Sequence, residues 1–128
     1  MIRGIESILL FSQSAKKLAN FYKTKVGLKM TFEAVMGEHD EEMYEFTIKK
    51  GAPGLYIIDH SDIKGKAKDP KRFLFNLEVD NIEKEVARVK KSGVKLVADI
   101  YHVEGYGKIA TFEDLDGNYF QMVQVRAS

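Results

Sequence analysis

A chain of 128 residues, 45% of them hydrophobic, is long enough to bury about two thirds of the surface its unfolded form exposes, so one domain folds without disulfide or metal. With 20 Lys+Arg against 19 Asp+Glu the net charge is +1, too little to steer the chain toward nucleic acid or an anionic membrane. The absence of cysteine excludes thiolate metal sites, disulfides and thiol nucleophiles.

Glu6 interrupts the short apolar stretch after Met1, and nothing approaches the roughly 18 uninterrupted apolar residues of a membrane span. The expectation is a soluble cytoplasmic protein with no signal peptide.

In chain order, residues 5–11 read as a buried strand, and Ser14 then caps a helix. Ala15, Leu18, Ala19, Tyr22 and Val26 keep the i, i+3, i+4, i+7 spacing of one helical face, and Gly27 stands where a left-handed residue ends it. Segments near 29–35, 43–49 and 55–59 are rich in β-branched and aromatic residues and are set apart by Gly and Pro. Module one is therefore predicted as βαβββ. The basic run Lys64, Lys66, Lys68, Lys71 and Arg72 carries Gly65 and Pro70 and reads as a solvated connection.

Residues 73–79 open a second copy as a strand. Asp80, with Glu83 three residues on, forms a predicted capping box that starts a helix through Val86 and Val89, closed by Gly93. Strands near 95–101 and 108–113 follow. Asp116-Gly117-Asn118 supplies positive-φ residues for a tight turn into a strand over 119–125, so the last two strands are expected to pair as a hairpin. Ser14 falls on Asp80 and Gly27 on Gly93 at one constant offset, which marks a duplicated unit. The organisation expected is a single domain over 1–128: module one about 1–62, a linker about 63–71 and module two about 72–128.

This order, with Phe21-Tyr22 leading to Gly27-Leu28, Val79-Asp80-Asn81 before the second helix, Gly105-Tyr106-Gly107, and Asp114 to Asn118 before a final strand, resembles the vicinal oxygen chelate superfamily. That family includes glyoxalase I, extradiol dioxygenases, fosfomycin resistance enzymes and bleomycin resistance proteins. Leu115 stands where its members usually carry Pro. The resemblance implies an α+β fold of two tandem βαβββ modules whose curved mixed sheets form a concave groove.

In metal-using members, His, Glu or Gln side chains reach inward and hold a divalent ion. By the resemblance those positions fall here on Ser7, Tyr56, Leu74 and Gln121. A hydroxyl, a phenol, an alkyl group and an amide supply neither imidazole nor carboxylate, so a metal-free protein with no cofactor is expected.

Alternation along residues 73–79 sends Phe75, Leu77 and Val79 to the helix side, and Leu74, Asn76 and Glu78 to the other. Asn76, Glu78 and Gln121 are the polar candidates for ligand contact. Tyr106, Tyr56 and Phe11 offer flat apolar walls. His39, His60 and His102 share no ligand spacing on one element, and His39 sits with Glu38, Asp40, Glu41 and Glu42 at a solvated hairpin tip. No nucleophile with a base beside it is recognisable, which leaves Glu78 as a lone base for any metal-free catalysis.

The function expected is metal-independent sequestration of a small organic molecule in the groove between modules, by a homodimer with no nucleic-acid or membrane partner. The dimer is expected because open sheets leave edges that a second copy covers. The alternative is a metal-dependent glyoxalase-like lyase, isomerase or dioxygenase.

Overall fold

Sequence alternation and helical spacing translate directly into two units in the computed structural model, which describes residues 1–126. The first unit runs over Met1–Gly65 and the second begins at Lys66.

In the first unit, β1 (Ser7–Ser12) leads to α1 (Ala15–Phe21), which continues as a π-helical segment (Tyr22–Val26), then β2 (Met30–Met36), β3 (Glu41–Phe46) and β4 (Gly54–Asp59). The sheet order is β1-β4-β3-β2, with β1 and β4 parallel and the other pairs antiparallel. The second unit repeats it. β5 (Leu74–Glu78), α2 (Ile82–Lys91), β6 (Lys95–Val103), β7 (Gly107–Glu113) and β8 (Tyr119–Val125) form a sheet of order β5-β8-β7-β6, again with its first pair parallel. Each unit is thus βαβββ, and the last two strands pair as the expected hairpin.

Each helix covers one face of its own sheet. In the first unit Ala15, Leu18, Ala19, Tyr22 and Val26 are buried with Leu10, Tyr44, Phe46, Leu55 and Ile57. In the second, Ile82, Val86 and Val89 are buried with Phe75, Leu77, Phe112, Phe120 and Met122. Phe120 stacks between Phe75 at 6.1 Å and Phe112 at 5.5 Å, so its truncation to Ala would cost about 3–5 kcal/mol.

Two local expectations are corrected. Asn81, not Asp80, caps α2: its side chain accepts the Lys84 N–H at 3.1 Å, which puts Glu83 outside any capping box and in an ion pair with Lys108 at 3.1 Å. In the β7–β8 turn only Gly117 has positive φ, at 78°, while Asp116 and Asn118 keep φ below zero. The turn is held instead by Asp114, 4% exposed, which accepts the N–H groups of Asp116 and Asn118 and the Asn118 side-chain amide at 2.9–3.0 Å.

A further device occurs in both units. The first N–H of α1, Ala15, donates to Asp59 at the end of β4 (2.7 Å), and the first N–H of α2, Ile82, donates to Gln124 near the end of β8 (2.8 Å). Each helix start is thereby tied to the strand that its own β1-type strand pairs with, in addition to its local cap.

Candidate functional site

Successive strand residues point to opposite faces, so burying Leu55, Ile57, Tyr44 and Phe46 under α1 turns Tyr56, Ile58, Met43 and Glu45 to the face that α1 leaves uncovered. Register then fixes the rows on that face. One row runs Leu9, Tyr56, Glu45, Phe32, and the next runs Phe11, Ile58, Met43, Ala34. Leu9, Phe11 and Phe32 are 45%, 43% and 53% exposed, so this face is apolar and open in the single chain. In its middle lies a polar pair: the Tyr56 hydroxyl donates to Glu45 Oε2 at 2.9 Å. That hydrogen bond, then burial and the charges of Glu45 and Glu6, raises the Tyr56 pKa above its usual 10.0. Gly54 leaves the space for the pair, since a Cβ there would lie 3.2 Å from the Tyr56 ring.

The second unit carries the equivalent row: Asn76, Gln121, Thr111, Ala98. Here too the two middle residues are joined, with Gln121 Nε2 donating to Thr111 Oγ1 at 3.0 Å. Thr111 is buried and Gln121 half-buried. The next row places Glu78 beside Val123, Ile109 and Tyr101. Asn76 and Glu78 are exposed and, among the described residues, have no side-chain partner. Asn76 and Gln121 are therefore direct cross-strand neighbours, and Glu78 lies one row away.

Tyr106 occupies the β6–β7 turn, half-buried. Its N–H donates to the Val103 carbonyl at 3.0 Å and its carbonyl accepts the Arg126 N–H at 2.9 Å. Phe11 has its ring edge-on to His60, with centroids 5.3 Å apart. His60 and His39, distant in sequence, line one cavity of about 200 Å³ in the first unit with Gln13, Glu41, Asp59 and Lys64. Both Asp59 oxygens are engaged there by backbone N–H groups, and His60 Nδ1 accepts the Asp62 N–H, so in its neutral form that ring carries its proton on Nε2.

The donor set does not fit a divalent metal. Of the four positions implied for ligands, Ser7 pairs across from Gly54 and Leu74 across from Tyr119, while Tyr56 and Gln121 are hydrogen-bonded to Glu45 and Thr111. Among the described residues no three His, Asp or Glu side chains gather to hold an ion. Nor, among those residues, is any helix long and apolar enough to cross a membrane.

Sequence reasoning missed Glu45 and Thr111, the partners of the two central residues. Alternation alone places each on the correct face; which strand lies opposite, and in what register, is information no single segment holds.

A duplicated βαβββ fold with one helix-free face per sheet defines a class, and comparison identifies it: residues 4–122 match the model of the Glyoxalase/Bleomycin resistance protein/Dioxygenase superfamily, and the chain belongs to that family. It is 25% identical to YetH, an uncharacterized protein of Bacillus subtilis (strain 168), over 94% of this chain and 97% of that one. Its fold is similar to that of TnmS3, an antibiotic binding protein from Streptomyces sp. CB03234, with a TM-score of 0.77, 20% identity and 98% of each chain covered. FosX, a fosfomycin resistance protein from Listeria monocytogenes, is similar with a TM-score of 0.75 and 16% identity, covering 99% of this chain and 97% of its own.

Proposed function

We propose that this chain is a metal-independent binding protein, a cytoplasmic homodimer that sequesters a small organic molecule on the helix-free faces of its sheets without altering it. The observation that carries the reading is the pair of equivalent rows. Where metal chemistry would call for His or carboxylate ligands, the chain presents Tyr56 on an apolar face and Gln121 on a polar one, each fixed by a neighbour. Fixed polar groups amid apolar area orient an organic ligand, whereas they do not replace the hydration shell of a divalent ion. Phe11, Tyr56 and Tyr106 supply flat surface; Asn76, Glu78 and Gln121 supply hydrogen-bonding groups. The description of TnmS3 as an antibiotic binding protein accords with such a role on this fold.

Thermal unfolding against a panel of planar aromatic compounds tests the proposal. A true ligand at a hundredfold excess over its Kd stabilises by about 2.7 kcal/mol, a rise of several degrees. Elemental analysis of the same dialysed protein is expected to find less than about one tenth of an equivalent of divalent metal. A stoichiometric metal signal surviving dialysis would favour a metal-dependent lyase, isomerase or dioxygenase instead.

A further inference from the structure

The first unit's helix-free face carries a carboxylate that, among the described residues, forms no ion pair. Glu45 lies in mid-sheet, half-buried, directly across from the exposed ring of Phe32 on one side and from Tyr56 on the other. Its Oε2 accepts the Tyr56 hydroxyl, and among the described residues no Lys, Arg or His forms an ion pair with it. The flanking positions on its own strand and the next are Met43 and Ile58, with Leu9 and Phe11 one strand further on. A carboxylate set into such a surface is partly desolvated by its neighbours, and the natural complement is a cation that also covers apolar area. Phe32 and Tyr56 add ring faces that attract the same kind of charge.

Resting on the binding function proposed above, we propose that Glu45, oriented by Tyr56, selects a small organic cation: a planar aromatic molecule bearing a protonated amine or amidine. The aromatic plane lies on the face formed by Leu9, Phe11 and Phe32, and the cationic N–H group donates to Glu45. Tyr56 holds one carboxylate oxygen, so the other is left for the ligand. The second unit has Thr111 at the equivalent place, and its carboxylate Glu78 lies one row away beside Val123 with, among the described residues, no hydroxyl partner, so the carboxylate oriented by a tyrosine belongs to the first unit.

Fluorescence titration of the full chain with proflavine, a planar aromatic cation, tests this against neutral acridone and anionic anthracene carboxylate. Proflavine is expected to bind at least about tenfold more tightly than acridone, and Glu45→Gln to bring its affinity down to that of acridone while acridone itself is unchanged. Tyr56→Phe, which keeps the ring but removes the hydroxyl that orients Glu45, is expected to narrow the preference for proflavine over acridone without abolishing it. A preference that Tyr56→Phe leaves unchanged overturns the orienting role of Tyr56, and this holds even where Glu45→Gln fails to fold. Equal binding of proflavine and acridone, or a preference that survives Glu45→Gln, overturns the charge selection and leaves the binding function standing. Binding of none of the three compounds overturns both. Proflavine affinity that weakens as protein concentration rises overturns the proposal in favour of a second copy of the chain covering this face.

Discussion

Tyr56 and Gln121 hold the same place in the two copies, and each spends part of its hydrogen-bonding capacity on the strand beside it. For Tyr56 the consequence is measurable. Its raised pKa means that the folded state favours the neutral phenol, so the stabilisation is complete below pH about 10 and is lost as pH rises through the folded value. Tyr44, raised chiefly by burial and then by Glu42, ionises late as well. Ultraviolet titration should therefore show late-ionising tyrosines, one of which disappears in Tyr56→Phe and returns toward the ordinary range in Glu45→Gln. A titration unaltered by either change would contradict the Tyr56–Glu45 bond. For Gln121 the two readouts separate. Gln121→Leu leaves the buried Thr111 hydroxyl without its donor and should lower stability by about 1 kcal/mol, while affinity for a polar ligand falls by about 1–3 kcal/mol. A loss of stability with ligand affinity intact would make Gln121 a framework residue.

At the scale of elements, periodicity made the helices and most strands legible: Ala15, Leu18 and Ala19 in the first helix and Val86 and Val89 in the second are residues the structure buries. The caps were less legible. Asp80 and Asn81 are adjacent and both suited to the role, and the choice between them follows from where β5 ends, at Glu78, together with the docking of Ile82 onto Gln124. Asn81→Ala is thus expected to cost about 1 kcal/mol and Asp80→Ala far less, measured by denaturant unfolding; equal losses would return the capping role to Asp80. Glu45 and Thr111 were hidden for a different reason. Their importance lies in cross-strand register, which depends on the pairing of β3 with β4 and β7 with β8. Gly107 shows the same dependence. Its φ is 146°, and a Cβ would collide with the Gln124 carbonyl oxygen on β8, so Gly107→Ala should destabilise by about 3 kcal/mol or more in thermal unfolding.

For the whole molecule, the fold was readable because two copies of one weak pattern reinforce each other, whereas the site was readable only in part. Tyr56, Gln121, Asn76, Glu78 and Phe11 do stand on helix-free faces, but no segment pattern announced the cavity that joins His39 to His60. Each sheet ends in strands paired on one side only, and Leu9, Phe11, Phe32 and Phe73 expose large apolar surface in the single chain. We expect sedimentation equilibrium to show a homodimer at concentrations of about tens of micromolar, with a persistent monomer counting against that assembly. The proposed function rests on binding without metal. Its most direct test is calorimetric titration of the aromatic compound that most raises the melting temperature, before and after exhaustive chelation. The prediction is saturable binding with the same Kd in both preparations; binding that vanishes on chelation and returns with Mn(II) or Zn(II) would contradict it.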